Sequence, residues 1–215
     1  ICGVVGGDTL DISVRLDAKS HTLITMPGAS KFYRSSGPQA RLSQHFYLDE
    51  GSTLEWLPQD TIIFPGANAA LRSVFHLKAS STLLAWELYC LGRPVINETF
   101  SHGTLESRLE VWVEDEPRLI ERQHLGDGDL TPVAGHPWIG TLLFYPANEE
   151  HLDTVRALLA PLGHFAGATL TDELLSVRFL SHDNLICQRV MRDIWQSLRP
   201  LLTTKTACSP RIWQT

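Results

Sequence analysis

Several familiar signatures are missing from the 215 residues, and each absence removes a class of function. There is no G-x-x-x-x-G-K-[ST] loop to cradle phosphate, no G-x-G-x-x-G, no H-E-x-x-H, no G-x-S-x-G and no EF-hand loop. The nine histidines are scattered and never form an H-x-H pair on one strand. The Gly-rich start GVVGGDTL lacks the lysine of a phosphate site and reads as a turn with positive φ at Gly6 or Gly7. The four cysteines, Cys2, Cys90, Cys187 and Cys208, are never in C-x-x-C spacing, which argues against a zinc ribbon or a thioredoxin-type pair. They are too few for a disulfide framework, so the compartment reads as reducing and cytoplasmic. No run of about 18 apolar residues occurs, so no membrane span is expected. Residue 1 is Ile and no signal-peptide pattern follows it, so the native start is expected elsewhere. Net charge is -6 with Lys and Arg unclustered, which argues against a nucleic-acid partner.

What is present is a mainly β chain. Residues 1 to 130 hold short Thr-, Val- and aromatic-rich segments punctuated by Gly and Pro, a β-rich body. A weak repeat appears when Leu16, Leu48, Leu77 and Val113 are aligned, at offsets of 32, 29 and 36 residues. The copies read VRLDAKSHTLIT, FYLDEGSTLEWL, FHLKASSTLLAW and VWVEDEPRLIER. Each reads as strand, tight turn and strand, so hairpin-like units are expected to stack. One unit cannot bury its apolar face alone, but several stacked together can.

A break at GDGDLTPVAGHP (126 to 137) separates a C-terminal α+β part, residues 131 to 215, packed on the body as one structural unit. GTLLFYP and LLSVRFL read as strands. Residues 148 to 162 read as a helix with Asn148 as N-cap and Leu152, Val155, Leu158, Leu159 and Leu162 on one face. A second helix is expected over 183 to 199, with Ile186, Val190, Ile194 and Leu198 inward and Pro200 ending or kinking it. The order is βαβα-like. Ile212 and Trp213 in the irregular tail want a partner or a groove.

Acids inside apolar strands stand out: Asp8, Glu55, Asp60, Glu87, Glu98 and Glu121. A carboxylate is costly to bury unless it is paired, hydrogen-bonded or bound to a cation. Several lining one passage would make an oxygen-rich route for a divalent ion, and Cys or His would soften it toward nickel or zinc. Plainer readings stand beside this one. Glu55 points to solvent, Asp60 is a turn residue, Glu87 pairs with Arg93, and Glu121 pairs with Arg118 or Arg122. Cys90 is a small buried hydrophobe and His102 a loop residue. On these residues alone the chain is a mostly β interaction protein. The competing alternative is a stand-alone metal enzyme or ligand-binding module using Glu87, Cys90, Glu98 and His102.

Five motifs in order over residues 3 to 215 sharpen this: GVVGGD, TMPGASKFYRS, LEWLPQDTIIFPGA, CLGRPVINETFSHG and PRIWQT. Together they resemble the UreD (UreH) family of urease accessory proteins. The resemblance implies a β-rich fold with few helices and a scaffold that is not an enzyme. It implies partners: apo-urease subunits, UreF and, through UreF, the GTPase UreG, with no nucleotide bound to this chain. It implies transient nickel, passed through an internal channel toward the urease site, where a lysine carbamate bridges two nickel ions. On the resemblance, Asp8, Glu87 and Glu121 line the passage with Ser30 as a polar neighbour. Asp60, Cys90, Glu98 and His102 are secondary candidates. Carboxylates bind a divalent ion and release it, whereas a His/Cys cage would trap it. The family carries further strands before the Gly-rich motif, so an incomplete N-terminus is implied. Cys2 stands where the family more often has Pro or Gly, and it is given no role. Asn97 stands where Gly is common, so that turn is expected to be less tight.

Overall fold

The computed structural model describes residues 3 to 214, so Cys2 lies outside the described residues. The first strands in chain order are β1 (Thr9–Leu16), β2 (His21–Thr25), β3 (Ser30–Phe32), β4 (Ala40–Leu48), β5 (Thr53–Leu57) and β6 (Thr61–Ile63). Then come β7 (Asn68–Leu77), β8 (Thr82–Leu91), β9 (Thr104–Val113), β10 (Glu116–Gly126) and β11 (Trp138–Tyr145). Helix α1 (Glu149–Leu159), β12 (Ala166–Thr171), β13 (Leu174–Ser181) and α2 (Asn184–Thr203) complete the chain. The result is mainly β, with stacked strands and two helices in the C-terminal part.

The strands form two sheets. The outer sheet runs β1-β4-β7-β9-β10. The central sheet runs β12-β13-β11-β8-β5-β2, with β6 pairing with the far end of β8 and β3 joining β6. The aligned repeat positions are ladder partners: Leu16 lies opposite Leu48, Leu48 opposite Leu77, and Leu77 opposite Val113. All four are buried between the sheets. In the first three copies the turn carries the chain from the outer sheet to the central one, and successive copies pair in parallel. Ser20, Ser52 and Ser81 occupy one position in these arches. Each hydroxyl donates to the carbonyl three residues earlier at 2.7 Å, and at the fully buried Ser52 and Ser81 this keeps the corner satisfied. The fourth copy, β9–β10, is a hairpin within the outer sheet.

The central sheet continues across residue 130, because β11 pairs with β8 along its whole length. Alternation along β8 sends Leu83, Ala85, Tyr89 and Leu91 toward the outer sheet and Leu84, Trp86, Leu88 and Cys90 toward the helices. The helices thus form a third layer.

Asn148 caps α1 through the His151 amide, and a short 3-10 segment, Ala160–Phe165, follows with Pro161 in its first turn. In α2 the buried stripe is Cys187, Met191, Ile194, Trp195 and Leu198. Ile186, expected inward, is 38% exposed, because the face is centred one residue further on. Pro200 does not end the helix, which continues to Thr203. Near a C-terminus the loss of one amide is small, and the Thr204 amide still reaches the Pro200 carbonyl. Gly7 has φ +95, and a Cβ at Gly6 would fall 2.2 Å from Ser35 Oγ. Asn97 takes φ 58, a left-handed conformation that asparagine tolerates.

Candidate functional site

Between the sheets the apolar filling gives way to polar groups around Glu87. Glu87 projects inward from β8, in register with Thr141 of β11 and, beyond it, Arg178 of β13. The facing rung of the outer sheet is Gln44, Ser73, Leu109 and Glu121. The Ser73 hydroxyl donates to Glu87 Oε1, and the Tyr89 hydroxyl donates to Glu87 Oε2 at 2.8 Å. Gln44 Nε2 donates to Ser73 Oγ at 3.3 Å. Burial pushes the Glu87 carboxyl above the usual range. The nearby Glu121 charge pushes the same way, while the two hydroxyl donors oppose it. Burial beside this carboxylate likewise pushes the Tyr89 phenol well up. Glu121, half-buried on β10, accepts from Arg178 Nε at 3.1 Å on both oxygens and from Nη2 at 2.6 Å.

Glu87, Tyr89, Glu121, Thr141 and Arg178 border a cavity of about 400 Å³. On its other side Glu87 borders a pocket of about 20 Å³, shared with Ser30, Gln44 and Met26. That is room for about one water-sized species. One carboxylate therefore stands between a wide chamber and a narrow one. Ser30 sits on β3, and its amide donates to the Asp60 carbonyl at 2.9 Å.

The sequence model of the family described as "UreD urease accessory protein" matches residues 2–214. The protein named "Urease accessory protein UreD" of Enterobacter sp. (strain 638) is 75% identical over 213 residues, 99% of this chain and 78% of its own length. The namesake in Klebsiella aerogenes is 67% identical over 213 residues, 99% of this chain and 79% of its own. That of Pseudomonas putida (strain GB-1) is 52% identical over 213 residues, 99% of this chain and 77% of its own. The chain belongs to the UreD family. Membership supports a role in urease maturation.

The other candidates of this UreD-family chain lie elsewhere. Asp8 lines neither chamber; its Oδ2 accepts from the Val5 amide at 3.0 Å and closes the Gly-rich turn. Glu87 does not pair with Arg93. That arginine pairs with Glu98 across the β8–β9 loop, and Arg93 holds the Glu98 carboxyl below the usual range. Glu121 pairs with neither Arg118 nor Arg122: Arg122 lies on the opposite face of β10, and Arg118, at the irregularity between Pro117 and Leu119, pairs instead with Asp172 at 3.5 Å. Cys90 faces the helices, and burial pushes its thiol up to about 12. His102 is exposed beside Ser101. Glu87, Cys90, Glu98 and His102 thus do not converge, and the alternative site built on them is not assembled. Asp60 is buried beside α2, accepting from Asn184 Nδ2 at 3.3 Å; burial pushes its carboxyl up. Among the described residues, no three His, Cys, Asp or Glu side chains are grouped to hold a metal ion. Nor is any helix there long and apolar enough to cross a membrane.

Glu55 does not point to solvent. It is fully buried, because α2 covers that face of the central sheet. Its oxygens accept from His21 Nε2 at 2.7 Å, Arg199 Nε and Nη2 at 2.8 and 2.9 Å, and Trp195 Nε1 at 2.9 Å. The repeat alignment held the signal, since its rung partners Leu23 and Leu84 are apolar. Ser73, Tyr89 and Arg178 carried no such signal. Each is an ordinary strand residue, polar on a face that sequence alternation reads as either in or out.

Proposed function

We propose that this UreD-family chain is a cytoplasmic, non-catalytic scaffold of urease maturation. It bridges apo-urease to UreF and, through UreF, to UreG. Nickel, the cargo, moves toward the urease active site past Glu87 and Glu121. The support is the position of one carboxylate, since Glu87 borders both the wide cavity and the pocket that holds Ser30. Carboxylate and hydroxyl oxygens suit transit, because hard oxygen donors hold a borderline ion such as nickel more loosely than imidazole or thiolate. Asp8 is not needed for this route.

The test is substitution of the two acids in cells that assemble urease. Glu87→Gln and Glu121→Gln are expected to lower urease activity and urease nickel content at least several-fold. Co-purification of the chain with UreF and apo-urease should be unchanged. Full activation in both variants would remove the passage from the reading.

A further inference from the structure

The wide cavity contains its own cation. Among the described residues, Arg178 is the one arginine or lysine of its wall. Alternation along β13 sets Leu174, Arg178 and Leu180 toward the outer sheet, and Leu175, Val177 and Phe179 toward the helices. The guanidinium therefore enters the chamber and meets Glu121 from the opposite sheet. It takes both carboxylate oxygens in a forked, charge-assisted contact. Both side chains remain partly open, at 41% and 35% exposure, so the contact is accessible from the chamber. Gly167 is the register partner of Arg178 on β12, and a Cβ there would meet nothing within 4 Å. The side chain has room to turn.

We infer that Arg178 is a tethered counter-ion that holds the Glu121 carboxylate when no metal is present and that only a divalent ion displaces. The inference rests on the passage reading above and adds a residue that sets its selectivity. The exchange is simple. The Arg178 N–H contacts to Glu121 break, metal–oxygen contacts form, and the guanidinium swings into the chamber. A monovalent ion would replace one unit charge by another and lose the fork geometry. A divalent ion brings twice the charge to the same oxygens, so its attraction offsets the lost contacts. The pair thus discriminates against abundant monovalent ions, and it keeps divalent binding weak enough to reverse.

The test is equilibrium dialysis of the full chain against nickel chloride in potassium chloride buffer. It compares wild type with Arg178→Met, Arg178→Lys, Glu121→Gln and the double variant Arg178→Met/Glu121→Gln. Arg178→Met is expected to bind nickel at least about tenfold more tightly, a factor near the low end for loss of one hydrogen bond to a charged group. Arg178→Lys keeps the charge but not the fork and should fall between wild type and Arg178→Met. Raising potassium chloride should weaken nickel binding more in Arg178→Met than in wild type. A structural role alone would not raise affinity. A gain that persists in the double variant would be binding by disordered chain and would overturn the inference. So would Arg178→Met binding no more tightly than wild type while Glu121→Gln still loses nickel and activation; the passage would then stand without its counter-ion. If Glu121→Gln and Glu87→Gln leave both nickel binding and activation unchanged, the passage falls and Arg178 with it.

Discussion

Two glutamates of the central sheet show how surroundings decide what a carboxylate does. Glu55 and Glu87 lie on neighbouring strands but on opposite faces. Burial alone would push Glu55 up, but hydrogen bonds from Arg199, His21 and Trp195 outweigh it and hold the carboxyl low. Glu87 has two hydroxyl donors and no cation, and burial pushes it up. The consequences for stability have opposite sign. The Glu55 contribution is present above its unfolded pKa and is lost as pH falls through the folded one. Glu55→Gln strands the Arg199 charge and should cost about 3–5 kcal/mol at neutral pH, the usual result of removing one partner of a buried pair. The melting temperature should fall by roughly 10 °C, with a deficit that shrinks in acid. Ionised Glu87 instead lowers stability once pH rises above its unfolded value. Glu87→Gln should therefore melt higher than wild type at pH 7, with no advantage below about pH 4. A lower melting temperature for Glu87→Gln at pH 7 would contradict this assignment. A residue that costs stability where it stands is consistent with a role other than holding the fold.

At the scale of elements, the arches and the hairpins differ in their corners. Lys19 (φ 61) and Gly51 (φ 63) each supply a single left-handed residue to an arch between the sheets. The β9–β10 hairpin has two, Glu114 (φ 49) and Asp115 (φ 65), and the β12–β13 hairpin has Asp172 (φ 47) and Glu173 (φ 62). Two consecutive left-handed residues make the turn that matches strand twist in a two-residue hairpin. This distinction was hidden in the sequence, because acidic pairs are not the Asn-Gly or Asp-Gly signature of such turns. The register was legible: aligning Leu16, Leu48, Leu77 and Val113 reproduces the ladder, since inward apolar residues must coincide when strands stack. Strand-turn-strand periodicity could not show whether a copy folds back or crosses between sheets, because both bury alternate residues. The β12 strand, AGATLT, has too few large apolar residues to announce itself. Asp115→Gly should relieve the left-handed cost and raise stability by about 1 kcal/mol. Ser52→Ala, which leaves the Asp49 carbonyl short of a buried donor, should lower it by about 1 kcal/mol. Chemical denaturation of the two variants gives both signs. Equal effects would mean that the corners are not distinct.

At the scale of the whole molecule, the three layers give the site one firm wall and one yielding wall. β8 lies in the middle layer, covered by the outer sheet on one side and by α2 on the other. Strands buried on both faces read as nearly continuous apolar runs, and TLLAWELYCL is one, with Glu87 its lone charge. This is why Glu87 was legible and Arg178, on a strand of ordinary alternation, was not. The tail reinforces the same layer. Trp213, 8% exposed, packs against Trp86 and Trp195 and donates to Thr25 Oγ1 at 3.1 Å. Its groove is supplied by its own chain, and Trp213→Ala should cost about 3–5 kcal/mol. Glu121 belongs instead to β10, the edge of the outer sheet, and Arg178 lies one strand in from the edge of the central sheet. Amide hydrogen exchange should therefore be slowest in β8 and β11 and should quicken through β13 to β10 and β12, as covered strands open only with the global transition. If β10 exchanges as slowly as β8, the chamber is firm on both sides and the swing of Arg178 relies on the open space beside Gly167 alone. If the gradient is seen, Glu87 is a fixed post and the Arg178–Glu121 contact spans the part of the fold that moves most easily.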